Sequence, residues 1–101
     1  MYFAIIATDA VTRTYEKRLA AKPAHRERMQ ALHATGKLLL AGPLLQDHAV
    51  AETTCGSLIV ADFESEEAAR AWINADPFVT QGIYGEVVIK PFVQAFPPTS
   101  S

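Results

Sequence analysis

The sequence predicts an α+β fold: four strands and two helices in the order β-α-β-β-α-β, forming an antiparallel sheet with both helices on one face. Three observations lead there. Short runs rich in aromatic, β-branched and leucine residues recur at 2–8, 37–45, 56–63 and 86–96, in lengths and compositions that favour strands. Between the first two runs, and again between the last two, apolar residues repeat at helical spacing. The 101 residues, half of them hydrophobic and a fifth charged, fit one globular domain that buries roughly 60–70% of the surface its unfolded chain exposes.

Tyr2 to Thr8 is bulky and nearly all apolar, which marks a central strand. A polar turn follows over 9–14. Tyr15 to Ala21 suits a helical turn or two, but Pro23 lacks the N–H an established helix needs and fits a first turn. The main helix is therefore expected to begin at or just before Pro23. His25, Met29, Leu32 and Gly36 then fall at offsets of 0, 4, 7 and 11, one face of a 3.6-residue repeat, with Gly36 as its stop. Lys37 to Leu45 reads as a strand opened by Gly42-Pro43, 46–55 as a surface loop, and Gly56 to Phe63 as the third strand.

Ser65 is a good N-cap, with Glu66 and Glu67 in the favourable first turn. Ala69, Trp72 and Asp76 share one helical face, so Asp76 is expected in the last turn, opposing the helix dipole. An irregular connector over 78–85 leads to a final strand, Glu86 to Phe96, in which Lys90-Pro91 argues for an edge position or a bend. Residues 1–96 thus form a single domain, with 97–101 as a frayed tail. This is the split βαβ or ferredoxin-like arrangement. It leaves one apolar sheet face uncovered, and the simplest cover is a second copy, a homodimer through the sheet faces.

Composition narrows the function. A net charge of −2, with no Lys/Arg cluster, excludes an electrostatic case for nucleic acid or an anionic membrane as partner. The apolar start is cut short by Asp9 and has no basic leader, so it reads as a strand of a cytoplasmic protein. One cysteine, Cys55, rules out an internal disulfide and cysteine-based zinc clusters. His25, His33 and His48 lack compact ligand spacing, and no Gly-x-x-x-x-Gly-Lys loop is present, so neither a metal site nor a nucleotide site is expected.

The candidate chemistry lies in two ionisable residues in the phase of apolar stripes, His25 and Asp76, where an unpaired polar group is expensive. If they meet, the carboxylate fixes the imidazole tautomer and leaves the second ring nitrogen as base or acid. That dyad suits proton transfer on a small cyclic or phenolic substrate, with no cofactor. A structural pair that merely satisfies itself explains the same residues. Ser57 could bind a substrate oxygen or simply open a strand, and no nucleophile elbow surrounds it. Arg18 could clamp an anion or be a surface arginine in a solvated turn.

Lys22-Pro23-Ala24-His25, Ala41-Gly42-Pro43, Gly56-Ser57, Asp76-Pro77-Phe78, Gly82-Ile83-Tyr84 and Lys90-Pro91-Phe92 together resemble the YciI-like (YCII-related) proteins in order and spacing. The resemblance covers nearly the whole chain. It implies a ferredoxin-like fold assembled as a dimeric α/β barrel related to muconolactone isomerases, with a His-Asp active site that falls on His25 and Asp76. Lys22 departs from the arginine expected before that proline, so no guanidinium role is carried over there. The activity implied is lyase or isomerase chemistry such as dehydrochlorination of a chlorinated hydroxyquinol. A non-catalytic ligand-binding or structural dimeric module is the alternative.

Overall fold

The computed structural model describes residues 1–10, 15–50 and 53–98. Their elements are β1 (Tyr2–Asp9), α1 (Tyr15–Ala34), β2 (Leu38–Leu45), β3 (Thr54–Asp62), α2 (Glu66–Asn74), the single turn α3 (Pro77–Thr80) and β4 (Tyr84–Phe92). The four strands form one antiparallel sheet in the order β2-β3-β1-β4. β1 is central, as its apolar composition requires, and β4 with its Pro91 is an edge. Most of the polar turn expected over 9–14 and the end of the expected tail lie outside the described residues.

Strand alternation divides the sheet into two faces. Phe3, Ile5 and Ala7 point towards the helices and are buried with Ile59, Ile89, Ala69, Ile73 and Phe78. The opposite face carries Ile6, Leu40, Leu44 and Phe92, still 39, 47, 39 and 36% exposed, and Ile6 is flanked there by Leu58 and Val88. In an isolated chain this apolar face is open to water.

Four expectations need correction. The main helix starts at Tyr15, eight residues before Pro23, which sits inside it. Pro23 is exposed, so the carbonyl it leaves without a partner can turn to water. The earlier turns are held from within by Arg18, which is 7% exposed and not an arginine of a solvated turn. At the other end Gly36 takes a positive φ of 79°, and its N–H bonds back to the His33 carbonyl, closing the helix where a side chain would be strained.

Asp76 is not in the last turn of α2. Pro77 disfavours helical geometry in the residue before it, so Asp76 is extended (φ −72°, ψ 140°) and becomes the N-cap of α3, a helical turn that runs into the connector expected over 78–85. Its side chain accepts from the Phe78 N–H at 2.9 Å. α2 ends at Asn74 instead, after the Ser65 cap and acidic first turn the sequence indicates. The final strand begins at Tyr84 and ends at Phe92, earlier at both ends than expected. Thr8 opposes Glu86 while Asp9 opposes Tyr84, so Gly85 is an extra residue, a bulge. A Cβ on Gly85 would lie 2.6 Å from Ala10 Cα, so the close approach needs glycine. The bulge delivers Tyr84 to the helix side of the sheet, into the core.

Candidate active site

Two buried polar groups meet a cavity of about 420 Å³ between α1 and the β2–β3 side of the sheet. The first is centred on Asp76, which is fully buried. Its Oδ1 receives His25 Nδ1 at 2.9 Å as well as the Phe78 N–H, and its Oδ2 receives Arg28 Nη1 at 3.0 Å. An ionised carboxylate only accepts, so the proton of this contact belongs to Nδ1, and Nε2 is the free nitrogen of the neutral ring. The ring lies parallel to Phe78, with centroids 4.0 Å apart and 4° between planes. Carboxylate and stacking partner together fix both the tautomer and the orientation of His25, which lines the cavity.

Burial alone would raise the Asp76 carboxyl. The hydrogen bonds from His25 and the Phe78 N–H, with the charge of Arg28 beside it, outweigh it and hold the group below its ordinary 3.8. The unfolded chain takes up this proton near 3.8, whereas the fold resists it to lower pH. Asp76 therefore contributes stability that is intact above that value and is lost as pH falls through the folded one. Urea midpoints taken from pH 6 down to pH 3 are expected to drop along this course, and the drop should shrink in Asp76→Asn.

The second group joins β1, α1, β3 and β4. Arg18 Nε and Nη2 donate to Asp9 Oδ2 and Oδ1 at 3.1 and 2.8 Å. Nη2 also donates to the Gly56 carbonyl at 3.0 Å and reaches Ser57 Oγ at 3.5 Å. Tyr84 Oη donates to Ser57 Oγ at 2.6 Å. Burial pushes the Tyr84 hydroxyl up to about 12 despite the Ser57 hydrogen bond. Arg18 and Ser57 both line the cavity, along with Lys22, Pro43 and Thr54, over an apolar floor that includes Met29, Leu38 and Ile59.

All four residues singled out in the sequence thus converge on one region: His25, Arg18 and Ser57 on the cavity wall, and Asp76 behind His25. Arg18 arrives with its charge already engaged by Asp9. Cys55 is a half-buried free thiol, while His33 and His48 are exposed and apart from the site. Sequence reasoning missed Arg28 and Tyr84. Arg28 sits three residues after His25, on the same helical side, and also donates to the Trp72 carbonyl at 2.7 Å while covering its ring. That spacing was a usable signal. For Tyr84 the alternation pattern points the wrong way, because the bulge at Gly85 reverses it.

The family profile described as YCII-related domain matches residues 1–93. This chain belongs to the YCII-related family. The YCII-related proteins it is similar to include Protein YciI of Escherichia coli O6:H1 and of Shigella flexneri, each 46% identical over 100 residues and covering 95% of this chain and 100% of the relative. A protein of Haemophilus influenzae is 40% identical over 99 residues with the same coverage. Among solved structures, 5-chloro-2-hydroxyhydroquinone dehydrochlorinase (TftG) of Burkholderia phenoliruptrix AC1100, in complex with 2,5-dihydroxybenzoquinone, superposes with a TM-score of 0.84 at 22% identity. The match covers 94% of this chain and 96% of that one. The YCII-related chain therefore shares that protein's α+β fold. None of its described helices is long and apolar enough to cross a membrane.

Proposed function

We propose that this protein is a cofactor-independent lyase or isomerase that moves protons on a small cyclic or aromatic compound, in the manner of a dehydrochlorinase or a muconolactone isomerase. One observation carries the reading: an imidazole pinned through Nδ1 by a fully buried carboxylate, with its ring on the wall of a largely apolar cavity. Neutral His25 takes a proton at Nε2 from a substrate C–H or O–H, and the imidazolium formed is stabilised by Asp76. In an elimination the released electron pair forms the new double bond, chloride leaves with its bonding pair, and the proton passes from His25 to solvent. In an isomerisation His25 returns the proton to another carbon. Asp76 acts only through His25, as a positioning residue. The fold neighbour's being a dehydrochlorinase, with a quinone as its ligand, supports this substrate class.

The test is incubation with chlorinated hydroxyquinols and unsaturated lactones in D2O, reading chloride release and deuterium incorporation. Turnover of one class is expected. Recovery of every compound unchanged, with His25 signals shifted by binding, would leave a ligand-binding module and sink the enzyme reading.

The working unit we propose is a homodimer closed through the open sheet face, where Ile6, Leu40 and Leu44 would be covered. Sedimentation should give twice the chain mass of 11.0 kDa. Ile6→Glu, which places a charge at the centre of that face, should give the single-chain mass with the fold retained. A wild-type monomer, or a dimeric variant, rejects this interface.

A further inference from the structure

Ser57 Oγ is approached by two donors, Tyr84 Oη at 2.6 Å and Arg18 Nη2 at 3.5 Å. A serine hydroxyl has two lone pairs and one proton, and a guanidinium cannot accept. The direction of the short contact follows from chemistry: a phenol is the stronger acid, and therefore the better donor, while an alkyl hydroxyl is the better acceptor. Tyr84 is buried and keeps its proton up to about pH 12. Neither donor is free to swing away. Arg18 is held by Asp9 and the Gly56 carbonyl, and lies 5.1 and 5.7 Å from the ring centres of Phe78 and Tyr84. Tyr84 itself packs edge-on against Phe78 at 5.5 Å. Tyr84 takes one lone pair of Ser57, and the Arg18 guanidinium, whose two Nη2 hydrogens go first to Asp9 and the Gly56 carbonyl at 2.8 and 3.0 Å, draws the other towards its charge at 3.5 Å; the Ser57 proton is thereby turned away from both, and Ser57 lines the same cavity as His25.

We infer that Tyr84 is a positioning residue that fixes Ser57 as a hydrogen-bond donor into the cavity, so that the ligand oxygen received there is an unprotonated carbonyl, enolate or phenolate oxygen. The inference rests on the proton-transfer reading and specifies its substrate. When His25 Nε2 removes a proton conjugated to that oxygen, the electron pair moves onto the oxygen, and the Ser57 O–H stabilises the charge without giving up its proton. A protonated hydroxyl at this point is a poorer acceptor and must turn its own proton away from Ser57, so it is received less well than a carbonyl, enolate or phenolate oxygen.

The experiment uses 2,5-dihydroxybenzoquinone as probe, with its affinity read by absorbance, its carbonyl stretch by infrared difference spectroscopy and His25 Nε2 by nitrogen NMR. Wild-type protein is expected to lower the stretching frequency and to move the His25 signal. Ser57→Ala and Tyr84→Phe should each abolish the frequency shift and weaken binding about tenfold, as loss of one buried hydrogen bond does. The double variant should be no weaker than Ser57→Ala alone. The His25 response should persist in all three, and Ser57→Ala carries the donor test alone if Tyr84→Phe folds poorly. A full frequency shift in Ser57→Ala or in folded Tyr84→Phe, or additive losses in the double variant, overturns this inference and leaves the His25 reading standing. A wild-type protein that neither binds the probe nor moves His25 overturns both.

Discussion

Asp76→Ala is expected to destabilise the fold by about 3–5 kcal/mol, the range for removing one partner of a buried ion pair. A single carboxylate here satisfies three donors on two different segments, so its loss leaves all three behind: the Arg28 guanidinium, the His25 Nδ1–H and the Phe78 N–H. The last of these is also the cap of α3, a loss of about 1 kcal/mol by itself. Against a typical domain stability of about 5–15 kcal/mol, the variant should unfold in much less urea than the wild type. Trp72 is a built-in reporter because Arg28 lies 4.7 Å over its ring, so its fluorescence follows both global unfolding and local release of Arg28. Asp76→Asn, which keeps an acceptor oxygen and can keep the cap, should fall between the two. An Asp76→Ala midpoint within about 1 kcal/mol of wild type would show that the cluster does not hold α1 to α3.

His25→Ala should show the reverse pattern, a loss of about 10²–10⁴-fold in turnover with a stability change within about 2 kcal/mol. The imidazole is partly open to the cavity and forfeits mainly its stacking on Phe78, whereas Asp76 keeps Arg28 and the Phe78 N–H after the change. The checks are chloride release or deuterium exchange on whichever substrate the wild type converts, together with a urea curve of the same preparation. Activity within threefold of wild type would assign the base to another group. The two variants form a pair: the first is expected to cost chiefly the fold, the second chiefly the proposed chemistry.

Much of the architecture was legible because strand and helix periods leave direct marks on a chain. The run at Tyr2 to Thr8 announces a central strand, Ser65 with Glu66 and Glu67 announces a helix start, and the apolar stripe of the first helix turns His25 inward, towards Asp76. What failed were positions where one local rule overrode another. Pro23 marks a helix start by proline's fit to a first turn, but the buried Arg18 network holds the two preceding turns helical. The Asp76-Pro77 dipeptide was read through helical phase, although the restriction proline places on its predecessor was also in the sequence and would have given the cap. Tyr84 was hidden for a different reason. A one-residue bulge exchanges the two sides of a strand, and nothing in alternation alone reveals where it falls.

The double duty of Asp76 bears on how relatives are interpreted. A residue that both starts α3 and ties α1 to it is retained by selection for folding alone, so a lineage that abandoned the chemistry would still carry the aspartate. Histidine at position 25 has no comparable structural hold. On the proposed chemistry, its replacement in an otherwise well-matched relative would be the informative mark of lost activity, and an intact Asp-Pro-Phe sequence would not be a sign that activity persists.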